Sequence, residues 1–344
     1  MPARLKDIAA ELDLSVTTVS RALAGYSDVS PQTRARVLAT AKAMGYVPDA
    51  TARRLQKQRA NVIGFIVPTF GPRFSDPFFS ELLAGIGNEA ARRSYDVLIS
   101  TVAPGPAETD TYRRFIMSRS VDGMIVVRTR SDDARIALML ENEFPFVSFG
   151  RSANYSDFPW VDTDGMAGIR AAVDHLVSLG HRNIGYLRGP QELMFSVLRW
   201  QAFVRAMAEN NLEINPEWIF HGDLSQGGGR TAANQLLDLS NRPSALLVGN
   251  DLMAMGAMTA VQQRNLVVGQ DLSIIGFDDI GPAEHTHPPL TTIRQPIYYI
   301  ATQVTSMLIQ LLEDETLQQP QQLLTPELVL RGSTGPAPAI PDLT

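Results

Sequence analysis

Residues 12–25 read LDLSVTTVSRALAG, and Val16, Thr17, Thr18, Val19 and Ser20 crowd the middle of what the flanking pattern makes a helix. β-Branched and hydroxyl side chains are mediocre helix formers, because they lose χ1 freedom or bond to their own backbone. Something other than helix stability must select that surface. Upstream, Leu5, Ile8, Ala9 and Leu12 recur at i, i+3, i+4 and i+7, the apolar stripe of a short amphipathic helix. Ser15 is a natural N-cap for the next helix, in which Val19, Ala22 and Leu23 turn toward the first and Val16, Thr17, Ser20 and Arg21 point outward. Ser30-Pro31 announces a third helix, a cap followed by proline at the first helical position, running through Val37, Leu38, Ala41 and Met44 to Gly45. Two short helices joined by a tight turn, with a third packed across them, form a helix-turn-helix unit.

That unit explains the composition. A recognition helix needs short side chains if its N-terminus is to enter the major groove, about 12 Å wide. The hydroxyls of Ser15, Thr18 and Ser20 suit phosphates, Val16 and Thr17 offer methyls or hydrogen bonds to base edges, and Arg21 reaches a guanine O6/N7 pair. Ser30, Thr33 and Arg34, at the start of the third helix, complete the candidate contact set of the head. Charge agrees: residues 1–60 carry ten Lys/Arg against five Asp/Glu, whereas the remainder carries twenty against thirty-one. A basic head on an acidic body implies a polyanion partner for the head alone.

Residues 46–59, YVPDATARRLQKQR, form a short basic helix after Pro48-Asp49 with one large apolar residue, Leu55. A helix so short is marginal in water and reads as a linker that orders on DNA. Ala52, Arg53 and Leu55 are then the minor-groove candidates, Leu55 as a wedge between base steps. A basic linker without base contacts is the alternative.

The body repeats one pattern. Val/Ile/Leu-rich runs at 61–68, 95–101, 123–127 and 145–150, then at 183–189, 244–250 and 273–279, alternate with helical stretches. Near-continuous apolar strands separated by helices imply parallel sheets covered on both faces, here in two similar α/β lobes that meet near residue 160. TTIRQP (291–296) and ELVLRGS (327–333) read as late strands around a helix at 297–314, taking the chain back between lobes. Ligands of open α/β sheets bind beyond the carboxyl ends of the strands. Asn250 and Asp251 end one strand and Asp278 and Asp279 another, Arg199 opens a helix after a Gly-Pro turn, and Phe78 and Phe79 open the first helix of the body. An arginine fork, an amide, a carboxylate and an aromatic face together suit a sugar. Gln295 is a further candidate, while Asp251 and Asp279 read as helix caps, and Asp162 and Asp164 as turn and cap residues before their helix.

Other features exclude classes. The 344 residues contain no cysteine and no apolar run long enough for a membrane span, and the N-terminus lacks the apolar stretch of a secretory signal, so a cytoplasmic location is expected. GGGR (227–230) lacks the lysine-hydroxyl pattern of a phosphate loop and reads as a helix lead-in. His285 and His287 have no third ligand in view, so no metal and no cofactor is expected. The ending, STGPAPAIPDLT from Ser333, reads as a disordered tail rather than a coiled coil.

The run LKDIAAELDLSVTTVSRALAGYSDVSPQTRARVLATAKAMGYVPDATARRL closely resembles the headpiece and hinge of the lactose-repressor (LacI/GalR) family of bacterial transcription regulators. VIGFIVP, DPFFSEL, HLVSLGHRNIGYLRGP, RWQAF, LLVGND, IIGFDD and PPLTTIRQP resemble its effector-binding core. The resemblance implies an N-terminal helix-turn-helix headpiece (1–46) and hinge helix (47–59) joined to a two-lobed periplasmic-binding-protein-like core of parallel sheets (60–332). It further implies lobe 1 at about 60–160 plus 292–322, lobe 2 at about 161–290 plus 323–332, and a tail at 333–344. By the same resemblance the protein is a homodimer reading a pseudo-palindromic operator in double-stranded DNA. A sugar-like effector held between the lobes by Phe78, Phe79, Arg199, Asn250 and Asp278, with Gln295 as the further candidate, then sets operator affinity. Asp49 departs from the family, which commonly has Asn there, and a carboxylate at that point repels phosphate. A sugar-binding module without a DNA role, a nucleobase- or phosphometabolite-responsive regulator, and a sugar-acting enzyme stand as alternatives. The first predicts no headpiece, and the last requires a nucleophile–base pair that the sequence does not display.

Overall fold

The computed structural model describes residues 3–23, 25–46, 60–69 and 76–338, in two compact units, Met1–Ala60 and Asn61–Thr344. The expectations for Asp49, Ala52, Arg53 and Leu55 fall outside the described residues.

The first unit contains α1 (Leu5–Leu12), α2 (Val16–Leu23) and α3 (Pro31–Ala43). Ser15 caps α2, its Oγ accepting the Thr18 N–H at 3.0 Å, and Ser30 caps α3 by accepting from Thr33 N–H at 3.1 Å. Ile8, Ala9, Val19, Ala22, Val29, Val37 and Ala41 close the small core. α3 departs from expectation: Leu38 is 50% and Met44 37% exposed, so its inner face is Val37 and Ala41, one turn apart. Three short helices offer α3 a single narrow seam.

The second unit begins with β1 (Val62–Pro68), α4 (Pro77–Arg92), β2 (Asp96–Val102), α5 (Pro106–Ser118), β3 (Gly123–Val127), α6 (Ala134–Glu141), β4 (Phe146–Phe149) and β5 (Trp160–Thr163). It continues with α7 (Gly165–Ser178), β6 (Ile184–Arg188), α8 (Met194–Glu209), β7 (Ile219–His221), α9 (Gln226–Leu237), β8 (Ala245–Val248), α10 (Asp251–Gln263), β9 (Ser273–Asp278) and β10 (Thr291–Arg294). It ends with α11 (Ile297–Leu312), β11 (Gln321–Leu324) and β12 (Glu327–Val329). Two six-stranded sheets result, ordered β11-β5-β4-β3-β1-β2 in lobe 1 and β12-β10-β9-β8-β6-β7 in lobe 2. All pairings are parallel except β10 with β12. β1 and β3 are buried along their whole length, as strands sandwiched between helices must be. α11 packs Ile300, Val304 and Leu308 into the lobe 1 core with Leu82 and Ile86 of α4. Gly85 permits that approach, since a Cβ there would lie 2.5 Å from the Ala301 Cβ.

The chain passes between lobes three times, after β5, after β10 and between β11 and β12. The lobe boundaries therefore shift from those expected. β5 and β11 complete the lobe 1 sheet, while β10 belongs to lobe 2, beside β9. TTIR cannot announce its own partner. Its two threonines are fully buried and bond within lobe 2, Thr292 to Asp251 and Thr291 to the Arg331 N–H. The tail expectation also needs correction at its start. Ser333 is fully buried, accepts the Thr291 N–H at 2.8 Å and donates to the Ile274 carbonyl at 2.6 Å. Gly335 bonds Ser273, and the Ala337 N–H donates to Leu179, so this segment lies fixed on lobe 2. Composition counted its prolines and missed its backbone partners.

Candidate functional site

On the head, Val16 is 46% exposed, Thr17 and Ser15 are open to solvent, and Thr18 and Ser20 are half-buried. The surface of the opening stretch is thus presented outward, with Val19 and Ala22 inward. Arg21 does not extend freely. Its Nη2 meets Asp28 Oδ2 at 2.6 Å, and its guanidinium lies 4.8 Å from the Tyr26 ring centroid. Arg34 Nη2 donates to the carbonyls of Tyr26 at 2.5 Å and Gly25 at 3.2 Å, holding the turn after α2. Ser30 and Thr33 join hydroxyl to hydroxyl at 2.8 Å at the N-terminus of α3.

In the second unit a cleft opens between the lobes, at the carboxyl ends of both sheets. Lobe 1 contributes Phe78, Arg128, Thr129, Phe149, Gly150, Arg151 and Asp162; lobe 2 contributes Phe195, Arg199, Leu224, Asn250, Asp278 and Gln295. Five of the six expected effector residues meet here. The sixth, Phe79, does not: it is fully buried in the lobe 1 core, its ring under the Arg128 guanidinium at 4.7 Å. Adjacent helix residues point about 100° apart, and here Phe78 takes the cleft-lining position while Phe79 turns into the core. Gly150 sits at φ +112, and a Cβ there would lie 2.6 Å from the Thr129 hydroxyl, so only glycine fits between these two lining loops.

Arg199 is the most confined cation of the cleft. It is 6% exposed, and its guanidinium lies 3.3 Å from the Phe277 ring centroid and 4.6 Å from that of Phe195. Nη1 donates to the Gly249 carbonyl at 2.7 Å, while Nε is buried without a hydrogen-bond partner. Burial lowers its pKa, opposed by the charge of Asp278. Asp278, at φ 119, accepts from Gln295 Nε2 at 2.5 Å, and burial pushes its carboxyl up to about 7 against the pull of Arg199. Asp162 accepts from Arg151 Nε at 2.8 Å, and burial raises its pKa also. Arg128 reaches Asp76 at 2.7 Å, burial lowering the one and raising the other. Phe78 and Phe149 stack with centroids 5.9 Å apart.

The loop carrying Arg128 and Thr129 rests on a buried ionic cluster. Arg135 holds Glu108 at 2.9 Å, Asp133 at 2.7 Å and the Arg128 carbonyl at 3.0 Å, and Arg130 reaches Glu108 at 2.7 Å. Across the cleft, Asn250 caps α10 by accepting the Met253 N–H at 3.1 Å and donates to the Leu224 carbonyl at 3.2 Å. Asp251 and Asp279 are not caps. Asp251 accepts from the Ile280 N–H and the Thr292 hydroxyl, and Asp279 pairs with Arg294 and Arg331. Asp164 does cap α7, the GGGR run opens α9 behind its cap Ser225, and Asp162 belongs to the cleft. Sequence reasoning missed Arg128, Phe149, Arg151, Asp162 and Phe195. Arg128 and Arg151 directly follow predicted strands, so the carboxyl-end rule pointed at them; the helix of Arg199 starts earlier than expected, at Met194, which brings Phe195 one turn before it.

A helix-turn-helix head and a cleft enclosed by two α/β lobes define a ligand-responsive DNA-binding regulator. The chain belongs to the lacI family of bacterial regulatory proteins: residues 4–49 match the family's own model, and residues 173–334 match that of the periplasmic binding protein-like domain. The HTH-type transcriptional regulator AglR of Rhizobium meliloti (strain 1021) is 36% identical over 342 residues, 98% of this chain and 96% of that protein. The lac repressor dimer bound to operator and the anti-inducer ONPF superposes with a TM-score of 0.84 at 29% identity, over 97% of this chain and 100% of the other. The transcriptional regulator CelR in complex with cellobiose gives a TM-score of 0.75 at 27% identity, over 96% and 99%. No described helix is long and apolar enough to cross a membrane.

Proposed function

We propose that this regulator is a cytoplasmic homodimeric repressor of carbohydrate-utilisation genes, binding a pseudo-palindromic operator and controlled by a neutral sugar in the interlobe cleft. The observation that carries the sugar reading is Arg199: a buried guanidinium held between two rings and lining the cleft, with Asp278 lining the same cleft. Asp278, Gln295, Asn250, Asp162 and Arg151 provide further donors and acceptors, and Phe78, Phe149 and Phe195 offer faces for the C–H side of a ring. Arg128 and Arg151 already have carboxylates in contact, which favours a neutral ligand over a phosphorylated one. The CelR–cellobiose complex supports the same class.

On the head, Val16, Thr17 and Arg21 are the base-reading residues of this proposal. Ser15, Thr18, Ser20, Ser30 and Thr33 meet phosphates, the last two through their hydroxyls at the N-terminus of α3. The protein is read as a regulator without turnover, because the cleft carboxyls bond guanidinium, amide or backbone groups and none bonds a hydroxyl nucleophile. A thermal-shift screen against neutral sugars, sugar phosphates and nucleobases tests the effector class. A ligand at a hundred times its Kd stabilises the native state by ~2.7 kcal/mol. Stabilisation by a neutral mono- or disaccharide supports the proposal; stabilisation by nucleobases or phosphorylated compounds alone overturns the sugar reading.

A further inference from the structure

We infer that Asp28 and Tyr26 are positioning residues that orient Arg21 for one guanine of each operator half-site. The inference rests on the reading of Arg21 as a base contact and adds how that contact is made selective. Arginine is a long side chain, and its discrimination of guanine depends on presenting a planar fork in one orientation. Here the plane is set from two directions. The Tyr26 ring lies 4.8 Å from the guanidinium carbon, and Asp28 Oδ2 takes Nη2 at 2.6 Å. Nε is shut off from solvent, so a base can meet only the Nη edge.

The platform is itself fixed. The Tyr26 N–H donates to the Arg21 carbonyl at 3.1 Å, the Tyr26 carbonyl accepts from Arg34 Nη2 at 2.5 Å, and the Val29 N–H donates to it at 3.3 Å. Arg34 thus acts on the readout through Tyr26. Asp28 is 54% exposed, so the contact contributes little to folding. A carboxylate on this basic head repels phosphate whatever the sequence bound. Its value lies in discrimination, at the expense of general affinity.

Asp28→Asn in the full chain removes the charge and keeps the shape. The probe is a set of duplexes selected by the wild-type chain from a random pool, with every position then varied singly and competed. The expected result is a loss of about tenfold in guanine preference at one position per half-site, with the other positions unchanged and non-cognate affinity equal or higher. Tyr26→Ala loses preference at the same position, whereas Tyr26→Phe, which keeps the ring, retains it. A merely structural role would lower the melting temperature or weaken all sequences together. Undiminished guanine preference in Asp28→Asn overturns the inference. Arg21→Ala separates the two readings: if it leaves every preference intact, Arg21 is not a base contact and both fall.

Discussion

The backbone N–H of Met194 in lobe 2 donates to the Thr129 carbonyl of lobe 1 at 2.8 Å, directly beside the cleft. The Ser131 N–H reaches the Glu192 carbonyl at 3.4 Å, and Arg130 and Leu193 form an antiparallel bridge between these bonds. One flank of the cleft is therefore latched by main chain. Met194 is also the first residue of α8, the helix that presents Phe195 and Arg199. Proline is accepted at a first helical position, and Leu193 at φ −81, ψ 128 already has the conformation that precedes proline. Met194→Pro thus deletes the latching donor and leaves the helix, while Met194→Ala keeps the donor. Effector binding that closes the lobes weakens by about 2–10-fold in the proline variant relative to the alanine variant, the size of one net hydrogen bond, by titration calorimetry. Equal affinities for the two variants would mean that the latch does not favour closure.

Arg199→Lys keeps the charge but loses the planar fork between Phe195 and Phe277. Effector affinity falls at least about tenfold, while operator affinity without effector stays within about threefold. Parallel calorimetric and operator-binding titrations check this, and an equal loss on both would point to misfolding of lobe 2.

Asp278 sets a pH dependence. Burial raises its carboxyl from 3.8 to about 7, so between those values the folded chain holds a proton that the unfolded chain has released. Its contribution to stability is full below pH ~4 and is lost as pH rises through ~7. Asp278→Asn, neutral throughout, lacks that decline in a series of melting curves. Effector binding runs the other way if the carboxylate accepts ligand hydroxyls: affinity at pH ~6 is about 5–10-fold below that at pH ~8, and the asparagine variant shows no such trend.

The head responds to its caps. Ser15→Ala removes the acceptor of the Thr18 N–H and Ser30→Ala that of the Thr33 N–H. Each costs about 1 kcal/mol of head stability, read as faster amide exchange in α2 or α3 with the lobes unchanged.

Much of this architecture was legible because it is periodic. The long strands VIGFIVP and SIIGFDD declare burial on both faces, and Ser15 and Ser30-Pro31 mark helix starts by local chemistry alone. What was hidden depends on partners far away in sequence. WVDT and QQLL are too short and polar to announce strands, yet they pair with each other to finish lobe 1. Asp162 entered the cleft with the first of them. The turn contacts of Arg34 were hidden for a similar reason: its Nη2 bonds two backbone carbonyls eight and nine residues earlier. Phe78 and Phe79 look equivalent in sequence, and only the rotation of α4 decides which of them lines the cleft.

The final passage between lobes governs how the protein is made. β11 is an edge strand of one sheet and β12 an edge strand of the other, and only Thr325 and Pro326 separate them. Both sheets consequently wait for the same few codons near the end of translation. A chain that ends before residue 321 leaves β5 and β10 without their outer neighbours, two edges beyond those of β2 and β7. Release at that point exposes pairing surfaces on both lobes at once, so premature termination here yields chains prone to aggregate rather than one sound lobe with a defective mate.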